Sequence, residues 1–325
     1  MSDSKDKEIS RAAAQFDNAR RRFSQRDFKA AMDYARDAAV SVRESLQVRD
    51  IGEARHGATY SLVVVLYEQH GDLGDALARI ASYASQERFE LIFVNNGHFT
   101  ENDLGRHLKK FRFVDVGFNY GCCGGRNLGA ELSAGDYVIF LEDDGFIAPH
   151  AIESLIELIT RYDALAVRGR VLPKASPGGT GYDLATAQHY DLGEEVVYSV
   201  PNAEGISIWR RQDFIEAGGF DTLLAGGEGV ALWSKMYKAA GPYGFLYAPS
   251  AILFHDYAAG EEELKIKKAR YRANEEYVAF AYPTAESERW EATLEFTCYA
   301  AKVNQASAGL EHYRLPHPCG AGRSK

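Results

Sequence analysis

From Ala58 onward, strand-length apolar runs alternate with helical stretches, and this alternation constrains the fold more than any other feature of the chain. Ser61–Tyr67 reads as a buried-type strand and Asp72–Ala84 carries helical periodicity. Phe89–Val94 is a second strand that stops at the turn signal Asn95-Asn96-Gly97. Asp103–Phe111 reads as a short helix, Phe113–Val116 as a strand and Asn127–Ser133 as a helix. Asp136–Leu141 is a further strand, closed at once by Glu142, Asp143 and Asp144. A helix over Pro149–Ile159 and a strand over Ala164–Leu172 continue the series. Such alternation predicts an α/β domain, a Rossmann-like mainly parallel sheet with helices on both faces. Ligands of such sheets bind beyond the carboxyl ends of the strands. Tyr67, Asn95 and the acidic triplet all fall at such ends, so they are expected on one rim.

The segment before this domain, residues 1–57, is helical. Phe16, Ala19 and Phe23 share one face, and Ala31, Tyr34, Ala35, Ala38 and Val42 form a second run beyond a break at Ser24–Asp27. It resembles a single helical hairpin of the tetratricopeptide type, and one copy cannot build a stack. The expected role is an appendage packed on the main domain or on a partner subunit, which makes it the candidate surface for oligomerisation. Residues 259–325 form a helical tail, with a charged helix over Glu261–Ala281 and a Pro- and Gly-containing end.

A formal net charge of -9 over 325 residues argues against a general nucleic-acid binder, whose surface needs a positive excess. The longest apolar runs are strand-length, which predicts no membrane-spanning helix. Met1–Ser10 is polar and has no apolar stretch behind it, so a cytoplasmic chain is expected. Cys122, Cys123, Cys298 and Cys319 show no CxxC spacing and no disulfide framework.

Three consecutive carboxylates after an apolar strand repel one another, and a bound divalent cation relieves that repulsion; an acidic surface turn carries the same sequence. Hard oxygen ligands suit Mn2+ or Mg2+ with positions left open for phosphate oxygens. Tyr67 at its strand end either stacks on a nucleobase or fills the strand-edge core. Asn95 offers a donor and an acceptor to a base edge. Gly121, Gly124 and Gly125 permit a tight turn from which Arg126 and Asn127, opening the next helix, can approach a phosphate or ribose, or they simply build that turn.

The ordered set Leu66-Tyr67-Glu68, Asn95-Asn96-Gly97-His98, Asn119–Gly129 with Ala134–Tyr137, Leu141–Asp144, Ser207–Arg211 and Gly218–Asp221 resembles the family 2 glycosyltransferases of GT-A fold. The resemblance spans Ser61 to about Ala258 and divides residues 58–258 into a nucleotide-binding half, 58–148, and an acceptor half, 149–258. It implies transfer of a sugar from a nucleoside-diphosphate sugar, a UDP-sugar foremost, to a glycan or other hydroxyl acceptor, with inversion. By resemblance Asp144 is the direct metal ligand, Glu142 and Asp143 lie on the donor side, and His255 joins Asp144 on the metal. The family's base is an aspartate in a Gly-x-Glu-Asp-like segment, and here Gly226-Gly227-Glu228-Gly229 has glycine at that position. The resemblance therefore leaves Glu228 as the base, then Asp256, and it keeps open a catalytically silent relative that only holds a nucleotide sugar or glycan. A sugar nucleotidyltransferase would need a Gly-rich basic loop after the first strand, where this chain has Glu68–Asp72.

Overall fold

Among the described residues, ten strands form one mixed sheet: β1 (Gln47–Ile51), β2 (Tyr60–Leu66), β3 (Phe89–Asn95), β4 (Phe111–Asp115), β5 (Tyr137–Glu142), β6 (Phe146–Ile147), β7 (Ala166–Leu172), β8 (Val197–Tyr198), β9 (Ser207–Arg210) and β10 (Phe245–Phe254). The computed structural model describes residues 2–52, 57–68, 73–174, 191–199, 205–240, 244–255 and 261–283. The strand order is β1-β4-β3-β2-β5-β9-β7-β10-β6, with β8 pairing β10. β4, β3, β2 and β5 run parallel, β9 runs antiparallel to both β5 and β7, and β7 and β10 run parallel again. The expected parallel block is therefore present, widened by antiparallel additions at β1, β6, β8 and β9.

Side chains alternate across each strand, so neighbouring residues of β2 enter opposite cores. Leu62 and Val64 pack with Leu77 and Ile80 of α3 (Leu73–Ala84) and with Ile152 and Leu155 of α6 (Ala151–Arg161). Val63 faces the other way, toward Leu128 of α5 (Gly121–Leu132), Phe214 of α7 (Arg211–Glu216) and Trp233 of α8 (Glu228–Ala240). Helices thus cover both faces, as the alternation predicts. The stretch read as a helix over Asp103–Phe111 is shorter and earlier, α4 (Glu101–Gly105), because Phe111 already begins β4.

The N-terminal helices α1 (Ser2–Ser24) and α2 (Phe28–Ser45) pack on the second face of the domain. Phe16 meets Phe118 and Tyr120, and Arg43 pairs with Glu131 of α5. One face of the hairpin is therefore covered by its own chain. The polar strand β1, which no apolar pattern announces, ties the hairpin to the sheet by antiparallel pairing with β4.

The glycine-rich segment departs from the sequence expectation. Gly121 alone of its three glycines has a left-handed φ, 81°, and the following residues are the first turns of α5 rather than a loop. The glycines serve packing. A Cβ on Gly125 would lie 2.7 Å from Val65 Cγ1, and one on Gly129 would lie 2.3 Å from Val63 Cγ1. The missing side chains let α5 lie against β2. Gly129→Ala is expected to destabilise the fold: overpacking costs about 1–3 kcal/mol, against a helix-propensity gain of at most about 1 kcal/mol. The readout is a lower urea midpoint at unchanged slope; an unchanged or higher midpoint contradicts this packing.

Candidate functional site

The rim at the carboxyl ends of β2, β3, β5, β7 and β10 gathers Tyr67, Asn95, Glu142–Asp144, Lys174 and His255. The three carboxylates of the acidic turn influence one another's charge but do not share one ligand-like contact. Each carboxylate has its own partner.

Asp144 Oδ1 stands 3.1 Å from His255 Nε2. Three strand spacings separate β5 from β10 in the sheet, so the chain must cross that gap. It does so through β6, whose Phe146 and Ile147 pair antiparallel with Phe254 and Leu253. This short ladder carries the acidic turn back to the end of β10, and His255 is further fixed by its amide donating to Leu172 O at 2.9 Å. Burial alone would depress the imidazolium, but the hydrogen bond and charge of Asp144, with Glu142 behind it, raise the His255 pKa above its ordinary value. Two cis ligands on an octahedral ion with bonds of about 2.1 Å stand about 3.0 Å apart. The 3.1 Å between Asp144 Oδ1 and His255 Nε2 is that of a hydrogen-bonded pair, and it lies close to the spacing that such a divalent cation would need between these oxygen and nitrogen donors.

Asp143 is buried and accepts the Tyr67 amide at 3.1 Å, which ties the end of β5 to that of β2. Its pKa is pushed up to about 7 by burial and by the charges of Asp144 and Glu142, with the Tyr67 amide opposing. Beyond this anchor Tyr67 is 47% exposed as a residue.

Glu142 accepts from Arg126 Nη2 and, at 3.0 Å, from the Gly205 amide. Arg126, 3% exposed, also donates from Nη1 to Glu228 Oε1 at 3.2 Å. Burial opposes its charge, but Glu142, the neighbouring thiols and Glu228 overcome that and hold the guanidinium protonated. Glu228 opens α8 and is 1% exposed; its Oε2 accepts the Gly226 amide at 2.8 Å. Each oxygen accepts one hydrogen bond and the side chain is buried, so in this state Glu228 is withdrawn from the surface where the sequence expectation of a base would place it. Asn274 of α9 (Glu261–Ala281) supports this loop by donating to Ala225 O at 3.1 Å and Gly226 O at 2.9 Å.

Two further expectations change on geometry. Asn95 spends its amide on its own turn and on the end of β4: Nδ2 donates to Phe99 O and Asp115 Oδ1, and Oδ1 accepts from Gly97 and Phe99. Its neighbour Asn96 donates to Gly121 O at 2.8 Å and keeps a buried Oδ1 with no hydrogen-bond partner among the described residues. Asn127 faces away from the rim's acids and clamps Phe220 through both its amide atoms, at 2.8 and 2.9 Å. Asp221 accepts the Leu223 amide at 3.0 Å through Oδ1 and the Tyr277 and Tyr282 hydroxyls through Oδ2, and so fastens the end of α9.

Sequence reasoning missed Lys174, whose ammonium donates to the Asp144 carbonyl. Its signal was available, since it follows the end of β7 on the same rim. Asp256, Cys298, Cys319 and most of the 175–201 segment lie outside the described residues. No helix among the described residues is long and apolar enough to cross a membrane.

Residues 61–217 match the model of the family described as glycosyl transferase family 2. The chain is 29% identical over 178 residues to a Haloferax volcanii glucosyl-dolichyl phosphate glucuronosyltransferase, covering 50% of this chain and 56% of that relative. It therefore spans little more than half the length of this curated relative. Among solved structures, S. aureus TarS aligns at TM-score 0.44 and 14% identity over 69% of this chain and 72% of that one. GalNAc-T7 with UDP, GalNAc and Mn2+ aligns at TM-score 0.47 and 17% identity over 61% and 43%.

Proposed function

We propose that this chain, whose residues 61–217 match the glycosyl transferase family 2 model, moves a sugar from a nucleoside-diphosphate sugar, a UDP-sugar foremost, to a hydroxyl acceptor with the help of a divalent ion. The observation that carries this reading is the Asp144–His255 pair, assembled by the β6–β10 ladder at the rim where such sheets bind ligands. Asp144 and His255 would hold the ion. When bound, it neutralises charge that develops on a departing diphosphate.

The chain's own groups divide the remaining work. The exposed Tyr67 ring stacks on the nucleobase, while Asn95 and Asn96, both 3% exposed, shape the turn beneath it. Lys174 adds a positive charge beside the diphosphate. Arg126 is too buried to bind donor directly; it holds Glu142 in position, and Glu228 holds Arg126. Inversion needs a carboxylate within hydrogen-bond reach of the acceptor hydroxyl, and Glu228 is 1% exposed. We assign that role to Asp256, the next residue after His255, in place of Glu228.

Thermal shift tests the donor half of the reading. UDP with Mn2+ is expected to raise the melting temperature by several degrees, since ligand at 100 times Kd adds about 2.7 kcal/mol. A panel of UDP-sugars, UDP-glucuronate among them, then ranks donors. A shift equal in EDTA and in Mn2+, or none with any nucleoside diphosphate, overturns the proposal.

A further inference from the structure

Cys122 and Cys123 lie in the first turn of α5, one turn before Arg126, and the chemistry above leaves them without a task. Their Sγ atoms are 4.0 Å apart. Together with a Glu228 carboxylate oxygen they form a set of three potential ligand atoms, all within 4.8 Å of one another. A tetrahedral ion with Zn–S bonds of about 2.3 Å separates two sulfurs by about 3.8 Å. The thiol pair already has nearly that spacing. A disulfide would instead require the sulfurs to close to about 2.05 Å inside a helical turn, which the helix resists. Without an ion the pair is uneven: the hydrogen bond from Cys123 lowers the Cys122 pKa, while that same bond, burial and the Glu228 charge raise that of Cys123, whose thiol also donates to Leu224 O at 3.3 Å.

We infer that Cys122, Cys123 and Glu228 form a binding site for a soft divalent cation such as Zn2+, and that filling it slows the transferase by drawing Glu228 away from Arg126. Binding releases the two thiol protons to solvent and changes no oxidation state. The sulfur ligands separate this site from the oxygen and imidazole donors of Asp144 and His255, which suit a harder ion. Arg126 then keeps Glu142 but loses its second carboxylate, so the link from α8 to the acidic strand end is cut at one bond.

Cd2+ is the probe, because its thiolate complexes carry an ultraviolet sulfur-to-metal charge-transfer band that oxygen and imidazole ligands do not give. The full-length chain bearing Cys298→Ser and Cys319→Ser is expected to bind one Cd2+ per chain with that band. Cys122→Ser or Cys123→Ser is expected to weaken binding by roughly 100-fold or more. Adding Asp144→Ala leaves the band in place. No band in the Cys298→Ser, Cys319→Ser chain, or a Cys122→Ser chain that binds Cd2+ within about threefold of the parent, overturns the site. Two cysteine variants are used so that misfolding of one does not decide the matter; circular dichroism melts check each. The inhibitory half rests on the glycosyl-transfer reading. Micromolar Zn2+ in Mn2+-containing assays is expected to slow transfer in the parent and to act at least about tenfold more weakly in Cys122→Ser. Equal inhibition of both overturns regulation through this site. Absence of transfer before any Zn2+ is added counts against the transferase reading alone, since the cadmium band is read without turnover.

Discussion

Asp144→Ala is expected to lower turnover about 1,000-fold or more and to erase the Mn2+ dependence of nucleotide binding, while leaving the melting temperature of the free protein nearly unchanged. The two halves follow from where Asp144 sits. Its side chain is 35% exposed and pairs with a 24% exposed histidine, and partly exposed ion pairs contribute about 0–1 kcal/mol to stability. Its proposed role at the metal is larger. A divalent ion stabilises developing charge by several kcal/mol, and each 1.36 kcal/mol or so changes the rate about tenfold. Around 4 kcal/mol therefore corresponds to about 1,000-fold. His255→Ala is the milder companion, because the carboxylate retains the charge that attracts the ion. Calorimetry of UDP with and without Mn2+, together with initial rates, measures both variants. An Asp144→Ala protein that binds UDP as tightly as the parent, with the same response to EDTA, rules out the metal reading. Asp143→Ala separates the neighbours: it removes a buried acceptor from the Tyr67 amide and is expected to lower stability without abolishing the metal response.

The rim was legible in the sequence because strands of the parallel block are apolar runs with polar residues at their ends. Tyr67, Asn95 and Glu142 needed only that pattern to be put on one edge. What the pattern could not supply was pairing between distant segments. β6 is two residues long, below the length at which periodicity means anything, yet it brings Asp144 to His255. Helix α5 was read as starting at Asn127 because glycines weaken helices in isolation; Val63 and Val65 of β2 reverse that preference by requiring residues without a side chain. Asn95 spends its side-chain amide on Phe99 O and Asp115 and Asn96 on Gly121 O, a matter of a few ångströms that residue identity does not encode. The contact of Arg126 with Glu228 joins residues 102 positions apart, and no local feature points to it.

That contact carries the second large effect. Arg126→Ala is expected to destabilise the protein by about 3–5 kcal/mol, the penalty for leaving a buried partner charge uncompensated. Glu228 is 1% exposed and cannot recover water, and Glu142 loses the same guanidinium. Pairing the change with Glu228→Gln removes the stranded charge, so the double variant is expected to recover part of the loss and be more stable than Arg126→Ala alone. Urea unfolding of the four proteins in the cycle measures the coupling, and additivity within about 0.5 kcal/mol contradicts a direct interaction. The single Glu228→Gln variant also decides its role in transfer. As the group that positions Arg126, it is expected to lower kcat by no more than about tenfold and to leave the pH dependence of kcat in place, because the amide still accepts one hydrogen bond. As the base it would lose about 100- to 10,000-fold and abolish the acidic limb of the profile. Asp256→Asn is expected to give that second outcome. A Glu228→Gln enzyme that shows it instead returns the base to Glu228 and requires Arg126 to release it during turnover.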